Sequence, residues 1–179
     1  MEVYRKLSKH ECSKIREIDA SQYIHRAWRE INGKRQLVEI NYHDPDFPNG
    51  YTHHLAALRS TIDGGGFAYG AFDHDHLIGF CSVNSDWFGT KSKYVLLDQL
   101  FISKESRSKG IGKRLFLLCA NEAKKQGADK FYICAGSVEE TIAFYFAIGC
   151  QEAKEINQAL YQQDTRDYQL EFDFDKLVD

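Results

Sequence analysis

From residue 67 onward the chain alternates stretches with the two-residue period of strands and stretches with the 3.6-residue period of helices. Residues 67–72 and 77–83 read as strands joined by a hairpin turn, Asp73-His74-Asp75-His76. A long strand over 94–102 follows, then an amphipathic helix from about 110 to 126, with Gly127 placed to end it and Lys124 and Lys125 in its last turn. Residues 130–135 form another strand. A helix over 137–148 has a capping-box pattern, Ser137 with Glu140, and a Gly149 stop. Two strands, at 158–161 and 168–174, close the chain. In the second, Tyr168, Leu170, Phe172 and Phe174 alternate with Gln169, Glu171 and Asp173, the pattern of a sheet with one wet face.

The pattern before residue 66 is less regular. Residues 3–7 suit a short strand, and Ser8 with Glu11 three residues on suits a helix start. Across 9–33 the apolar positions Ile15, Ile18, Ile24, Ala27, Trp28 and Ile31 fit one or two amphipathic helices. Residues 37–42 fit a strand or a loop. A turn-rich loop spans 44–50, and a helix over 51–62 ends at Asp63-Gly64-Gly65-Gly66. Hairpins mixed with strand–helix–strand units predict an α/β (α+β) single domain over 1–179. Its central sheet is mixed, mostly antiparallel, of about six to seven strands, and flanked by helices.

Composition narrows the function. Hydrophobic residues make up 43% of the chain and aromatics 13%, enough for a sizeable core. With 23 basic and 26 acidic side chains the net charge is -3, so the broad basic footprint of a nucleic-acid binder is missing. No apolar stretch approaches the roughly 18 residues of a membrane span, and residues 1–5 lack the apolar run of a signal peptide. Five scattered cysteines, with no C-x-x-C, read as reduced thiols in a cytoplasmic protein. His74-Asp75-His76, His53-His54 and the 63–66 glycines read as turn or surface features, so no metal is expected. Cys119 and Cys134 read as core packing.

One basic cluster needs a local explanation. The strand ending Leu100-Phe101-Ile102 runs into Arg107-Ser108-Lys109-Gly110-Ile111-Gly112-Lys113, where a helix begins. The first N–H groups of a helix lack internal partners and carry partial positive charge. Gly110 and Gly112 let a phosphate approach the backbone, and Arg107, Lys109 and Lys113 add charge, so a pyrophosphate fits. The nucleotide loop G-x-x-x-x-G-K-[ST] is absent. The dinucleotide fingerprint G-x-G-x-x-G fails because Leu115 holds its third glycine position.

The R-x-x-G-x-G segment after this strand resembles motif A of the GNAT N-acetyltransferase superfamily, usually Q/R-x-x-G-x-G/A. Thr141 to Cys150, T-I-A-F-Y-F-A-I-G-C, is similar to its motif B, A-x-x-F-Y-x-x-x-G-F. Cys150 stands in place of the usual aromatic, Val138 where asparagine is common, and Thr141 in place of alanine. The likeness is close over 94–150 and thin before 66. It implies an acetyl-CoA-binding core over 94–150 and a divergent acceptor-side region over 1–66. The backbone of Leu100, Phe101 and Ile102 would pair with pantetheine, residues 107–113 would hold the pyrophosphate, and Phe144 would line the cofactor site. Tyr145 would protonate the departing thiolate. Asp98, where relatives often carry glutamate, would be a base or a binding anchor.

The implied reaction is acetyl transfer to a primary amine of a small molecule, by direct attack in a ternary complex. Acetylation of a protein or peptide, or acyl-CoA sensing without catalysis, are the other readings. Trp28, Tyr42, Asp44 and Trp87, with Glu39, His43 and Asp46 nearby, offer aromatic and acidic lining for a cationic acceptor. A homodimer is compatible with the sequence.

Overall fold

The computed structural model describes residues 1–178. Seven strands form one sheet in the order β1-β4-β5-β6-β7-β9-β8. They are β1 (Glu2–Lys6), β4 (Phe67–Asp73), β5 (His76–Phe88), β6 (Tyr94–Ile102), β7 (Lys130–Ala135), β8 (Gln151–Glu152) and β9 (Tyr168–Asp173). Every neighbouring pair is antiparallel except β6 and β7. The helices are α1 (Tyr51–Asp63), α2 (Ile111–Lys125), α3 (Glu139–Ala147) and the single turn α4 (Gln158–Tyr161). The mixed, mostly antiparallel sheet is the one the sequence predicts. No helix among the described residues is long and apolar enough to cross a membrane.

Two cores flank the sheet. On one face α2 buries Ile111, Leu115, Phe116, Cys119, Ala120 and Ala123, a single stripe at helical spacing, together with Ile142 and Tyr145 of α3. On the other face α1 and a 3-10 helix at Lys9–Glu17 bury Cys12, Ile15, Leu58, Phe72, Leu77 and Phe80. Each large side chain fully removed from water contributes roughly 1.5–3 kcal/mol. The Ser8–Glu11 capping box forms as expected, with the Glu11 carboxylate accepting from the Ser8 amide at 3.0 Å.

Residues 9–33 depart from the predicted helices. Only the 3-10 helix is helical; β2 (Gln22–Ile31) and β3 (Lys34–Asp44) form a separate two-stranded hairpin. Asn32 and Gly33, at φ 51° and 74°, make a tight turn of left-handed residues. The hairpin is an arm laid across the sheet. At its root, the Lys104 amide donates to Asp19 O at 2.8 Å and the Asp19 amide to Ser103 Oγ at 3.1 Å. Midway, the Trp28 amide donates to Ser137 O at 2.8 Å, and Arg26 grips Glu139 through two bonds of 2.8 and 2.6 Å. Near its tip Arg35 pairs with Glu152 and lies 3.7 Å above the Tyr168 ring.

Three further expectations are corrected. The capping box at Ser137 does not form: Val138 is the cap residue, and the Ser137 hydroxyl accepts from Arg29 at 2.8 Å. Residues 158–161 are helical, started by Asn157 Oδ1 accepting from the Leu160 amide at 3.1 Å. β9 has no wet face, because Gln169 and Glu171 are buried along with their apolar neighbours.

Glu171 is fully enclosed and accepts four hydrogen bonds, from Tyr94 Oη (2.5 Å), Gln151 Nε2 (3.0 Å), Lys130 Nζ (3.1 Å) and the Lys154 amide (3.1 Å). Burial alone would raise its pKa, but these donors outweigh it and hold the carboxyl at about 2. A folded-state value below the unfolded one means stabilisation that is complete above about pH 4.5 and lost as pH falls towards 2. Glu171→Gln is expected to lose about 3 kcal/mol at pH 7. Urea denaturation across pH should show the gap from wild type closing within that acidic window.

Candidate active site

The parallel pairing of β6 with β7 stops after three residues, Tyr94, Val95 and Leu96 opposite Lys130, Phe131 and Tyr132. Beyond that point β7 follows β9, while β6 stays with β5. A bulge marks the separation: Leu97 faces Val83 and Gln99 faces Ser82, so Asp98 is the extra residue in β6. The bulge reverses the alternation. Val95 and Leu97 pack with α2 before it and Leu100 and Ile102 after it, while Gln99 and Phe101 turn towards α1. The β6 backbone from 98 to 102 therefore borders a gap, its N–H and C=O groups on that side unpaired by β7.

At the end of this gap lies the loop that opens α2. Ser108 and Gly110 adopt φ 62° and 82°, turning the chain sharply into the helix. Among the described residues, no protein acceptor takes the amides of Ser108, Lys109, Gly110, Ile111, Gly112 or Lys113; the Arg114 amide is the first to bond back, to Gly110 O. A run of free amides at a helix start is an anion cradle. No atom lies within 4 Å of where a Gly110 side chain would sit, so that side is open to a ligand. Lys109 and Lys113 are exposed and make no ion pair among the described residues.

Arg107 serves differently from the cationic role its position suggests. Its guanidinium donates to Ile102 O (3.0 Å), Ser21 O (2.8 Å) and Asp19 O (3.4 Å), binding the arm's root to the end of β6. Arg114 lies 4.2 Å above the Tyr4 ring, away from the loop.

Beside the gap stand Phe144 and Tyr145. A Cβ on Gly112 would meet the Phe144 ring at 3.4 Å and Ile102 Cγ1 at 3.6 Å, so these three residues form one wall. Tyr145 is buried against Phe116 and Phe144, and its hydroxyl makes none of the side-chain hydrogen bonds among the described residues. Burial pushes the phenol well above its ordinary pKa, keeping it a proton donor.

On the α1 side Asp98 lines a cleft of about 390 Å³ with Thr61, Asn84, Ser85 and Asp86. Its side chain reaches the surface, but crowding by protein raises its pKa, offset in part by His54 and His53. A larger cavity of about 670 Å³ lies between the arm and the chain entering β9, walled by Trp28, Arg29, Tyr161, Asp167, Tyr168 and Gln169 among others. The register places Gln169 opposite Cys134 and Tyr168 opposite Ala135, on the β7 lip of the gap.

The acetyltransferase (GNAT) family profile matches residues 35–149. The chain belongs to the acetyltransferase (GNAT) family. Among solved structures, it resembles nourseothricin acetyltransferase (TM-score 0.69, 17% identity, 95% of each chain covered). It also resembles the PaiA N-acetyltransferase of Thermoplasma acidophilum in complex with coenzyme A (TM-score 0.60, 17% identity, 97% of this chain and 99% of that one). An aminoglycoside 6'-N-acetyltransferase complexed with coenzyme A matches at TM-score 0.57 and 16% identity, over 73% and 85% of the two chains. Such distant likenesses establish the shared fold. No curated protein matches the sequence.

Within this GNAT acetyltransferase the acceptor-side candidates are only partly assembled. Trp28 lines the larger cavity, 6.3 Å from the Tyr168 ring. Tyr42 and Asp44 sit farther along the arm; Tyr42 pairs with Ile24, four residues from Trp28, or roughly 13 Å along an extended strand. Trp87 lies on the far side, over Gly127 and with Lys93 5.3 Å above its ring. Asp167 and Gln169 went unnoticed in the sequence, since nothing local distinguishes them from surface polar residues.

Gly110→Ala forces an L side chain to φ 82°, costing about 1 kcal/mol in stability, and puts a methyl on the open side of the cradle. Calorimetric titration is expected to show CoA affinity down at least about tenfold with only a small fall in Tm.

Proposed function

We propose that the protein transfers the acetyl group of acetyl-CoA to a primary amine of a small molecule, by direct attack in a ternary complex. The observation that carries this reading is the cradle of free amides at 108–113, set at the end of a gap whose β6 edge is unpaired. The amides suit the pyrophosphate. The 98–102 backbone suits the amide groups of pantetheine, which would complete the missing strand. The residues 94–150 are thus the cofactor half, and the region before 66, through its arm, the acceptor side. The small-molecule assignment is supported by the size of the larger cavity, about 670 Å³, and by the distant likeness to acetyltransferases of nourseothricin and aminoglycosides.

The chemistry asks mainly for positioning and proton management, because the thioester is already activated. An alkylammonium with pKa near 10.4 is neutral in about one molecule in 2,500 at pH 7, a cost of roughly 4–5 kcal/mol. Asp98, at the bulge, receives the proton released by the acceptor ammonium. The neutral nitrogen forms its bond to the carbonyl carbon, the carbon–sulfur bond breaks, and Tyr145 supplies a proton to the departing sulfur. The second proton that the nitrogen sheds on becoming an amide restores the phenol, and the one on Asp98 returns to solvent. The Tyr145 hydroxyl makes no side-chain hydrogen bond among the described residues and is available for that role.

Tyr145→Phe should lower kcat about a hundredfold while CoA affinity holds, measured by thiol release from acetyl-CoA over a panel of amines. Undiminished turnover would remove Tyr145 from the mechanism, and no thiol release with any amine, despite CoA binding, would make the protein a sensor. Asp98→Asn should be impaired most at low pH, its deficit shrinking as pH approaches the pKa of the amine; a deficit equal at all pH values would assign Asp98 to binding instead.

A further inference from the structure

The larger cavity holds two polar groups left without partners. The Asp167 carboxylate accepts no hydrogen bond and makes no ion pair among the described residues; of the arginines lining the cavity, two pair with carboxylates and Arg29 is bonded to neutral oxygens. Arg166 is held by Asp164 (3.2 and 3.1 Å), Arg35 by Glu152, and Arg29 by Ser137 Oγ and Trp28 O; Glu30 is exposed to solvent. Partial burial, with repulsion from Asp164, raises the Asp167 carboxyl to about 6. The second group is Gln169, only 6% exposed. Its Oε1 accepts from Tyr132 Oη at 2.7 Å and Cys134 Sγ at 3.6 Å, which fixes the amide and leaves Nε2 buried with no acceptor. A buried N–H in that state costs on the order of 1–3 kcal/mol, recovered when an oxygen reaches it. Trp28 and Tyr168 add aromatic rings beside these groups, and aromatic faces favour cations.

We infer that Asp167, Gln169 and Trp28 form a second recognition subsite, selecting an acceptor whose second ammonium group lies near a carbonyl or hydroxyl oxygen. The ammonium sits against Asp167 and the indole, and the oxygen accepts from Gln169 Nε2. The identification of this ligand as the acceptor rests on the acetyl-transfer reading; the binding chemistry does not. The subsite lies one strand over from the gap: Gln169 of β9 is paired with Cys134 of β7, the strand that forms the gap's far lip. After burial, Asp167 and Asp98 both raise the Cys134 thiol, so the charge of each carboxylate is felt at this lip of the gap.

The test measures binding without turnover. Pentylamine, 1,5-diaminopentane and lysinamide are titrated calorimetrically into the protein saturated with CoA. Wild type should bind lysinamide more tightly than 1,5-diaminopentane, and both more tightly than pentylamine. Asp167→Asn should weaken the two dications about tenfold and leave pentylamine unchanged, and Asp167→Glu should keep the preference, which guards against a folding defect. Gln169→Glu keeps an oxygen for Tyr132 but removes the N–H, so lysinamide should lose its advantage over 1,5-diaminopentane. Equal affinity for monoamine and diamines in wild type, or equal weakening of all three by Asp167→Asn, overturns the subsite. Dication-selective binding without any thiol release would instead sink the acetyl-transfer reading and leave the subsite standing.

Discussion

The separation of β6 from β7 governs the rest of this molecule. Two parallel strands that hold register over only three residues leave unpaired backbone groups inside the domain, where such groups are expensive. The bulge at Asp98 and the pairing of β7 with β9 keep the strands apart, so the ladder cannot close over the gap. An open internal edge of this kind is satisfied by water or by a ligand that carries its own amides. The placement of the free-amide loop at the end of the same gap gives one extended ligand both a strand partner and an anion site.

The surroundings of the gap differ in charge. The loop end has the helix N-terminus with Lys109 and Lys113, while Asp98 and Asp86 line the cleft on the α1 side and Asp167 the cavity beside β9. A chain of net charge -3 thus presents a local positive site to an anionic partner and carboxylates to a cationic one. Arg107 belongs to neither. Its guanidinium is used on three backbone carbonyls that root the arm, so the anion site depends on main-chain dipoles and exposed lysines. The arm then crosses to Ser137 and Glu139 beyond β7, and its root and middle together brace the two parted strands.

What the sequence made legible follows from how strongly each segment couples local pattern to burial. Strands β4 to β7 are packed by cores on both faces and helix α2 buries one apolar stripe, and their periodicities are correspondingly clear. The arm is a two-stranded hairpin with Tyr23, Ile31 and Tyr42 exposed, so no buried face imposes a two-residue period on it. Its scattered apolar residues happened to fit helical spacing, and the Asn32-Gly33 turn was the overlooked signal. The polar positions of β9 looked solvent-facing because sequence alone cannot show that Tyr94 and Lys130, dozens of residues away, would satisfy Glu171. The anion loop was legible because its chemistry is local to a few consecutive residues. Asp167 and Gln169 acquire meaning only once the fold brings them together with Trp28 of the arm in one cavity beside β7.

Burial also sets the protonation of the groups around the gap, and this bears on how the acyl group moves. Cys134 stands where a thiol could intercept it, but burial, with Asp167 and Asp98 adding repulsion, lifts that thiol to about 11. At pH 7 the thiolate is then present in about one molecule in ten thousand, and its negative charge would form against the repulsion of two carboxylates. A neutral amine is about as rare in water, yet its precursor is a cation that those same carboxylates attract, and Asp98 can take its proton. The field that suppresses the thiolate therefore promotes the amine. With Tyr145 kept protonated by its own burial, these charges agree with the proposed direct attack by the acceptor and oppose a covalent intermediate on Cys134.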